Sequence, residues 1–162
     1  MTFPDNVNLR GSVYLVAGAS GGIGKSLSTL LHSLNATVVL VDLSTELLVD
    51  LVDDLSKSNP NAPKPQVFAA DISSESSLKD LTTWYSAHFQ HINGLINCVG
   101  LLRTGESLKP ISETSLSEWE TIINVNLTGT FLLNRAFIPI MQKQRFGDII
   151  NISSVSGTQG RA

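Results

Sequence analysis

Residues 15–26, LVAGASGGIGKS, place glycines at Gly18, Gly22 and Gly24 and follow them with Lys25 and Ser26. Two phosphate-binding arrangements share these features. Counted from Gly18, the glycines suit a loop that carries the pyrophosphate of a dinucleotide. One sits where the chain turns off a strand, one where backbone must approach the phosphates, and one where a helix packs on that strand. Counted from Ala19, the run Gly24-Lys25-Ser26 would complete the mononucleotide loop G-x-x-x-x-G-K-S/T had Ala19 been glycine. Lys25 and Ser26 would then contact phosphates and magnesium, with Asp42 or Asp71 as the metal carboxylate. Ala19 weighs against this, because the first turn of such a loop needs a residue free of a Cβ. Asp42 weighs for the dinucleotide, standing within the ~20-residue interval expected of a carboxylate that hydrogen-bonds an adenosine ribose. Such a carboxylate accepts ribose hydroxyls and repels a 2'-phosphate, and DLSTEL, residues 42–47, holds no arginine or lysine to reverse that preference. The cofactor expected is NAD(H) rather than NADP(H).

Other reactive side chains are few. The single cysteine, Cys98, lies in the apolar run GLINCVG and reads as buried strand filler, with a reactive thiol as the alternative. His32, His88 and His91 fall in or beside helical patterns without the H-x-x-x-H or H-x-E spacing of a zinc site, so solvated helix faces are expected for them and no metal. Asn126 falls on the apolar face of a helical pattern, where an amide without partners would cost about 1–3 kcal/mol. It therefore needs a partner.

The elements that must position these groups follow from hydropathy. Apolar, β-branched runs at residues 12–18, 37–42, 66–71, 94–100 and 148–153 predict five strands. Their near-continuous hydrophobicity, without strict alternation, predicts a parallel sheet covered on both faces. Between them Ile23, Leu27, Leu30, Leu31 and Leu34 predict one amphipathic helix, and Leu47, Leu48, Leu51, Val52 and Leu55 a second. Leu78, Leu81, Tyr85 and Phe89 predict a third. A fourth opens at a capping box, Ser115 with Glu118 or Ser117 with Glu120, and runs through Trp119, Ile122, Ile123, Asn126, Thr130, Leu133 and Phe137 until Pro139 bends or ends it. The order βαβαβαβαβ with right-handed crossovers predicts an α/β fold, a Rossmann-type doubly wound parallel sheet with strand order 3-2-1-4-5. Ligands of such sheets bind at the carboxyl ends of the strands.

Composition agrees with one globular domain over residues 1–162: 42% hydrophobic and 15% charged. A formal net charge of −3 and pI near 5.5 give no basic field for nucleic acid. The first residues carry no apolar core flanked by basic residues, and no run approaches the ~20 apolar residues that cross a bilayer, so the cytoplasm is the expected location.

The motifs taken together resemble the short-chain dehydrogenase/reductase family, whose loop T-G-x-x-x-G-I-G here reads AGASGGIG. The resemblance continues through Asp42, the NAD-selecting acidic position, and through Asp71 and Ile72, the pair after the third strand that touches adenine. NCVG, residues 97–100, resembles the N-N-A-G element. NVNLTG, residues 124–129, carries an active-site asparagine at Asn126, and NISSVSG, residues 151–157, resembles the segment with the catalytic serine, which falls on Ser154. The resemblance implies cofactor contacts from Gly18, Ser20, Gly21, Gly22, Ile23, Gly24, Asp42, Asp71, Ile72, Asn97, Val99 and Gly100. It also implies catalytic roles for Asn126, keeping a water relay, and Ser154, orienting the substrate oxygen. For Asn126 a structural bond to neighbouring backbone stays open beside the relay, and for Ser154 a strand-end cap.

The chain departs from the family pattern at Ala17, for threonine, and at Cys98, for the second asparagine. A third departure concerns the Y-x-x-x-K pair, expected roughly a dozen residues beyond the serine. The sequence stops at Ala162, and neither Tyr14 nor Tyr85 is followed four places later by lysine. The resemblance thus implies the amino-terminal part of an oxidoreductase interconverting an alcohol and a carbonyl, inactive as 162 residues. Alternatives are a non-catalytic dinucleotide-binding module and the mononucleotide loop. Ending after the fifth strand predicts an exposed apolar edge and self-association. A homo-oligomer is implied for the longer parent, through the fourth helix and one that follows, and residues 101–115 are expected at the substrate mouth.

Overall fold

The computed structural model describes residues 7–102 and 110–155. Strand β1 (Val13–Ala17) leads through the glycine loop into α1 (Gly22–Ser33) and then β2 (Thr37–Asp42). A single 3-10 turn, Glu46–Leu48, precedes α2 (Val49–Ser58), and β3 (Gln66–Ala69), α3 (Glu75–His88) and β4 (Gly94–Asn97) follow. Beyond a second 3-10 turn, Ile111–Glu113, come α4 (Leu116–Ile123), a π-helical turn (Asn124–Gly129), α5 (Thr130–Gln144) and β5 (Asp148–Asn151).

The five strands form one parallel sheet in the order β3-β2-β1-β4-β5, as the hydropathy pattern predicts. Successive residues of β1 point to opposite faces. Leu15 and Ala17 join Val39 and Val41 beneath α3 and α5, among Leu78, Leu81, Tyr85, Leu133 and Phe137. Val16 joins Val38, Leu40 and Ile96 beneath α2, among Leu48, Leu51 and Leu55, with Leu27 and Leu31 of α1 alongside. Two apolar layers therefore sandwich the sheet, each worth ~25 cal/mol per Å² of apolar surface removed from water.

The strands are shorter than the apolar runs. β4 ends at Asn97 and β1 at Ala17, so Gly18, Cys98, Val99 and Gly100 belong to loops at the carboxyl edge. Four helical expectations need correction. In α1 the deepest residues are Gly24, Ser28 and His32, while Ile23 is 54% exposed. The helix meets β1 so closely that small side chains face the strand and the leucines flank the contact. His32 is accordingly buried, with Nε2 against the Pro63 carbonyl oxygen at 3.1 Å, and is no solvated-face residue. The single fourth helix is α4 and α5 joined through the π turn, which rotates the apolar stripe and leaves Trp119 half exposed. Finally, Pro139 does not end the helix: it lies inside α5, which continues to Gln144. Its missing N–H falls on an exposed side, where water can serve the freed carbonyl.

Candidate functional site

The carboxyl ends of β1, β2, β3 and β4 open onto a cleft of about 330 Å³. Gly18, Ser20, Gly21, Asp42, Asp71, Ile72, Val99 and Gly100 line it, joined by Leu43, Cys98, Leu101 and Val125. None of these lining residues is lysine or arginine. Eight of the twelve residues expected around a cofactor are thus brought together by the crossing loops.

Gly18 turns the chain off β1 with φ +74°, and a Cβ there would meet the Val99 amide nitrogen at 2.9 Å. A side chain would therefore strain the backbone and push apart the two loops that frame the cleft. Gly21 is the N-cap of α1 and brings no side-chain cap. The amides of the first turn, at Gly22 and Ile23, are therefore left for an anion beside the positive end of the helix dipole. Gly24 belongs to the fold instead: its Cβ would meet the Gly18 carbonyl and lie 2.8 Å from the Ala19 Cα. Gly22 faces open space, with nothing within 4 Å of an added Cβ. Gly22, Ile23 and Gly24 stand beside the cleft and do not line it.

Asp42, at the tip of β2, accepts the Ser20 amide (2.9 Å) and hydroxyl (2.7 Å) on Oδ2 and the Leu43 amide (2.9 Å) on Oδ1. Asp71 Oδ1 accepts the amide and hydroxyl of Ser73 at 2.8 and 2.6 Å, which ties down the turn before α3. Ile72 is buried, and the absence of a side chain on Gly129 lets the π turn approach it: a Cβ there would come within 2.9 Å of Ile72 Cγ1. Asn97 is buried at the end of β4, below the cleft. It accepts the Val99 amide at 3.1 Å and donates to Thr130 Oγ1 at 2.9 Å, and that hydroxyl donates in turn to the Asn126 carbonyl at 2.8 Å.

Asn126 finds its partner in backbone. Its Oδ1 accepts the Leu101 amide at 2.7 Å and its Nδ2 donates to the Leu101 carbonyl at 2.9 Å. Of the two partners open to it from sequence, the structure supplies the main chain of the loop after β4. Sequence places Thr130 on the fourth helix and Leu101 at the substrate mouth but misses their roles as hydrogen-bond partners, because neither hydropathy nor spacing marks a residue whose contribution is a hydroxyl or a peptide unit.

Ser154 lies exposed, three residues past β5, and does not line the cleft. Cys98 is half-buried and lines the cleft from the loop past β4, which corrects the strand-filler reading; desolvation pushes its thiol pKa up and so opposes thiolate chemistry. The Lys25 ammonium reaches Asp54 on α2 at 3.3 Å, away from the loop, as the mononucleotide reading would not require. Of the expected substrate mouth, residues 103–109 lie outside the described residues. Among the described residues no helix is long and apolar enough to cross a membrane.

Against known proteins, the sequence model of the short chain dehydrogenase family matches residues 12–162. The 3-oxoacyl-(acyl-carrier-protein) reductase FabG of Thermotoga maritima is 33% identical over 154 residues, which cover 95% of this chain and 60% of that protein. Among solved structures, levodione reductase superposes with a TM-score of 0.88 at 26% identity, covering 96% of this chain and 58% of that one. A short chain dehydrogenase of Escherichia coli CFT073, solved with NADPH, gives a TM-score of 0.88 at 28% identity over 98% of this chain and 65% of that one. The chain spans about 60% of the length of the curated relatives it matches.

Proposed function

The chain belongs to the short-chain dehydrogenase family, and from that premise we propose that it is the nucleotide-binding part of an NAD(H)-dependent oxidoreductase that interconverts a small-molecule alcohol and a carbonyl. The observation that carries this reading is the cleft itself, where a glycine turn, an uncapped helix N-terminus and the carboxylate of Asp42 converge. The residues fit a dinucleotide. The open space over Gly22 admits a phosphate that a side chain would exclude, and the first-turn amides of α1 supply its donors.

When bound, the nicotinamide cofactor supplies the hydride. The chain's own residues bind and orient. Gly18, Ser20, Gly21, Gly22, Ile23 and Gly24 shape the phosphate turn, Asp42 accepts ribose hydroxyls, and Asp71 and Ile72 border the adenine. Asn97, Val99 and Gly100 hold the loop on the far side. Asn126 keeps that loop in place through Leu101, and Ser154 orients a substrate oxygen.

Proton transfer at the substrate oxygen requires a further acid/base. The 162 residues contain no Y-x-x-x-K, so this reading assigns that step to the share of the relatives' length not spanned here and expects no turnover from these residues alone. The second reading is a dinucleotide-binding module without catalysis. A homo-oligomer belongs to the proposal as well, supported by Leu116, Trp119, Leu127 and Phe131, which are exposed along α4, the π turn and α5. Cytoplasmic residence and the absence of nucleic-acid partners complete it.

Titration with NADH and NADPH, followed by nicotinamide fluorescence, tests the reading. Tighter binding of NADH is expected. Tighter binding of NADPH, or binding of neither, overturns it.

A further inference from the structure

Backbone alone would give Asp42 two donors, the amides of Ser20 and Leu43, whatever side chain stood at position 20. The Ser20 hydroxyl adds a third, at 2.7 Å, the shortest of the set. Oδ2 is thereby pinned by two donors from the glycine loop and Oδ1 by one from the residue after β2. Both carboxylate oxygens are fixed to main chain that the sheet holds: Gly18 and Ala19, next to Ser20, donate their own amides to the Val41 carbonyl at 2.9 and 3.2 Å.

Resting on the NAD(H) reading above, we propose that Ser20 is a specificity-determining residue that acts through Asp42. Its hydroxyl holds the carboxylate in one rotamer at the cleft, ready to accept ribose hydroxyls, and keeps it from turning aside to admit a 2'-phosphate. A carboxylate fixed before binding loses no rotamer freedom when it accepts a ribose, which favours the unphosphorylated sugar. A carboxylate that cannot retreat keeps its full repulsion for the phosphate. No cation offsets that repulsion among the described residues lining the cleft, and Lys25 is engaged by Asp54. Ser20 is exposed, so its replacement removes a donor without opening the core.

The test is a binding cycle on the purified protein with NADH and NADPH, read as the ratio of their dissociation constants, with thermal melts confirming that each variant is folded. Ser20→Ala is expected to narrow the NADH preference roughly threefold to tenfold, as suits one charge-assisted hydrogen bond at an exposed site. Ser20→Thr, which keeps the hydroxyl, is expected to restore it. In an Asp42→Ala background the Ser20→Ala change should leave the ratio unmoved. Equal weakening of both cofactors by Ser20→Ala, or an effect on the ratio that persists without Asp42, overturns the inference and leaves the NAD(H) reading standing. An Asp42→Ala variant that keeps the parent's preference overturns that reading, and the inference with it.

Discussion

Asn126, in the π turn, closes a two-bond ring with the peptide unit of Leu101, accepting from its amide and donating to its carbonyl. The pairing imitates a rung of sheet between a helix and a loop twenty-five residues earlier. Asn126→Asp would set a second carboxylate oxygen against the Leu101 carbonyl, whereas Asn126→Ala leaves groups that water can reach. The aspartate variant is therefore expected to be the less stable of the two, by about 1 kcal/mol or more. Hydrogen exchange at the Leu101 amide and urea denaturation check this; equal losses would mean that the carboxylate meets no repulsion from the Leu101 carbonyl, and no loss in either variant that the ring contributes nothing.

The loop glycines should separate fold from ligand. Gly24→Ala drives a Cβ into the Gly18 carbonyl and is expected to cost about 2 kcal/mol or more. Gly22→Ala meets nothing within 4 Å, so its melting temperature should hold while its affinity for NADH falls. Thermal melts paired with cofactor titrations distinguish the two, and a Gly22 variant with full affinity would argue against phosphates over that residue.

Tyr85 is buried against Phe89 and Phe137 and donates its hydroxyl to the His91 carbonyl at 2.9 Å. Burial raises its pKa well above the ordinary value near 10. The folded protein therefore keeps the phenol proton at pH values where the unfolded chain releases it. The stability this lends is complete below about pH 10 and is lost as the pH climbs beyond. Tyr85→Phe should cost about 1 kcal/mol at neutral pH through the lost hydrogen bond and flatten the decline in stability above pH 10. Denaturant midpoints at pH 8 and above pH 10 provide the comparison; an equally steep decline in the variant would assign it to other groups.

Pro139 denies the interior of α5 one hydrogen bond. Pro139→Ala is expected to restore it and to stabilise the protein by about 1 kcal/mol or more. Calorimetry should show the melting temperature rising by roughly 2–4 °C. A lowered one would mean that the proline ring packs against something the helix needs.

The strands were legible in the sequence because their runs are apolar and β-branched; β1, β2 and β4 are buried on both faces, and a run such as TVVLVD can be little else. The glycine loop was legible because backbone approach to an anion leaves few residue choices. Helix orientation was less so. The leucines of α1 suggested the sheet-facing side, yet a helix pressed against β1 puts its smallest residues there, so Gly24 and Ser28 occupy the contact. His32 follows them one turn later and is buried by position, not by chemistry. The π turn escaped detection because one extra residue in a helical turn shifts the period without changing composition. Once it is present, the predicted stripe splits: Leu133 and Phe137 stay in the core and Trp119 does not. For the site, the carboxylate, the glycines and Asn126 were readable as residue types, whereas the ties that aim the side chains, Ser20 to Asp42 and Leu101 to Asn126, depend on loop geometry.

Because β1 lies in the middle of the sheet, its two neighbours arrive at very different times during synthesis. β2 follows at once, but the partner of Tyr14 on the other side is Gly94, about eighty residues later. At translation speeds of about 5–20 residues per second, one flank of the central strand waits roughly 4–16 seconds for its mate. Mispairing with another nascent chain is most accessible in that interval, so slowing the ribosome before β4 emerges should lower the soluble yield more than slowing it afterwards.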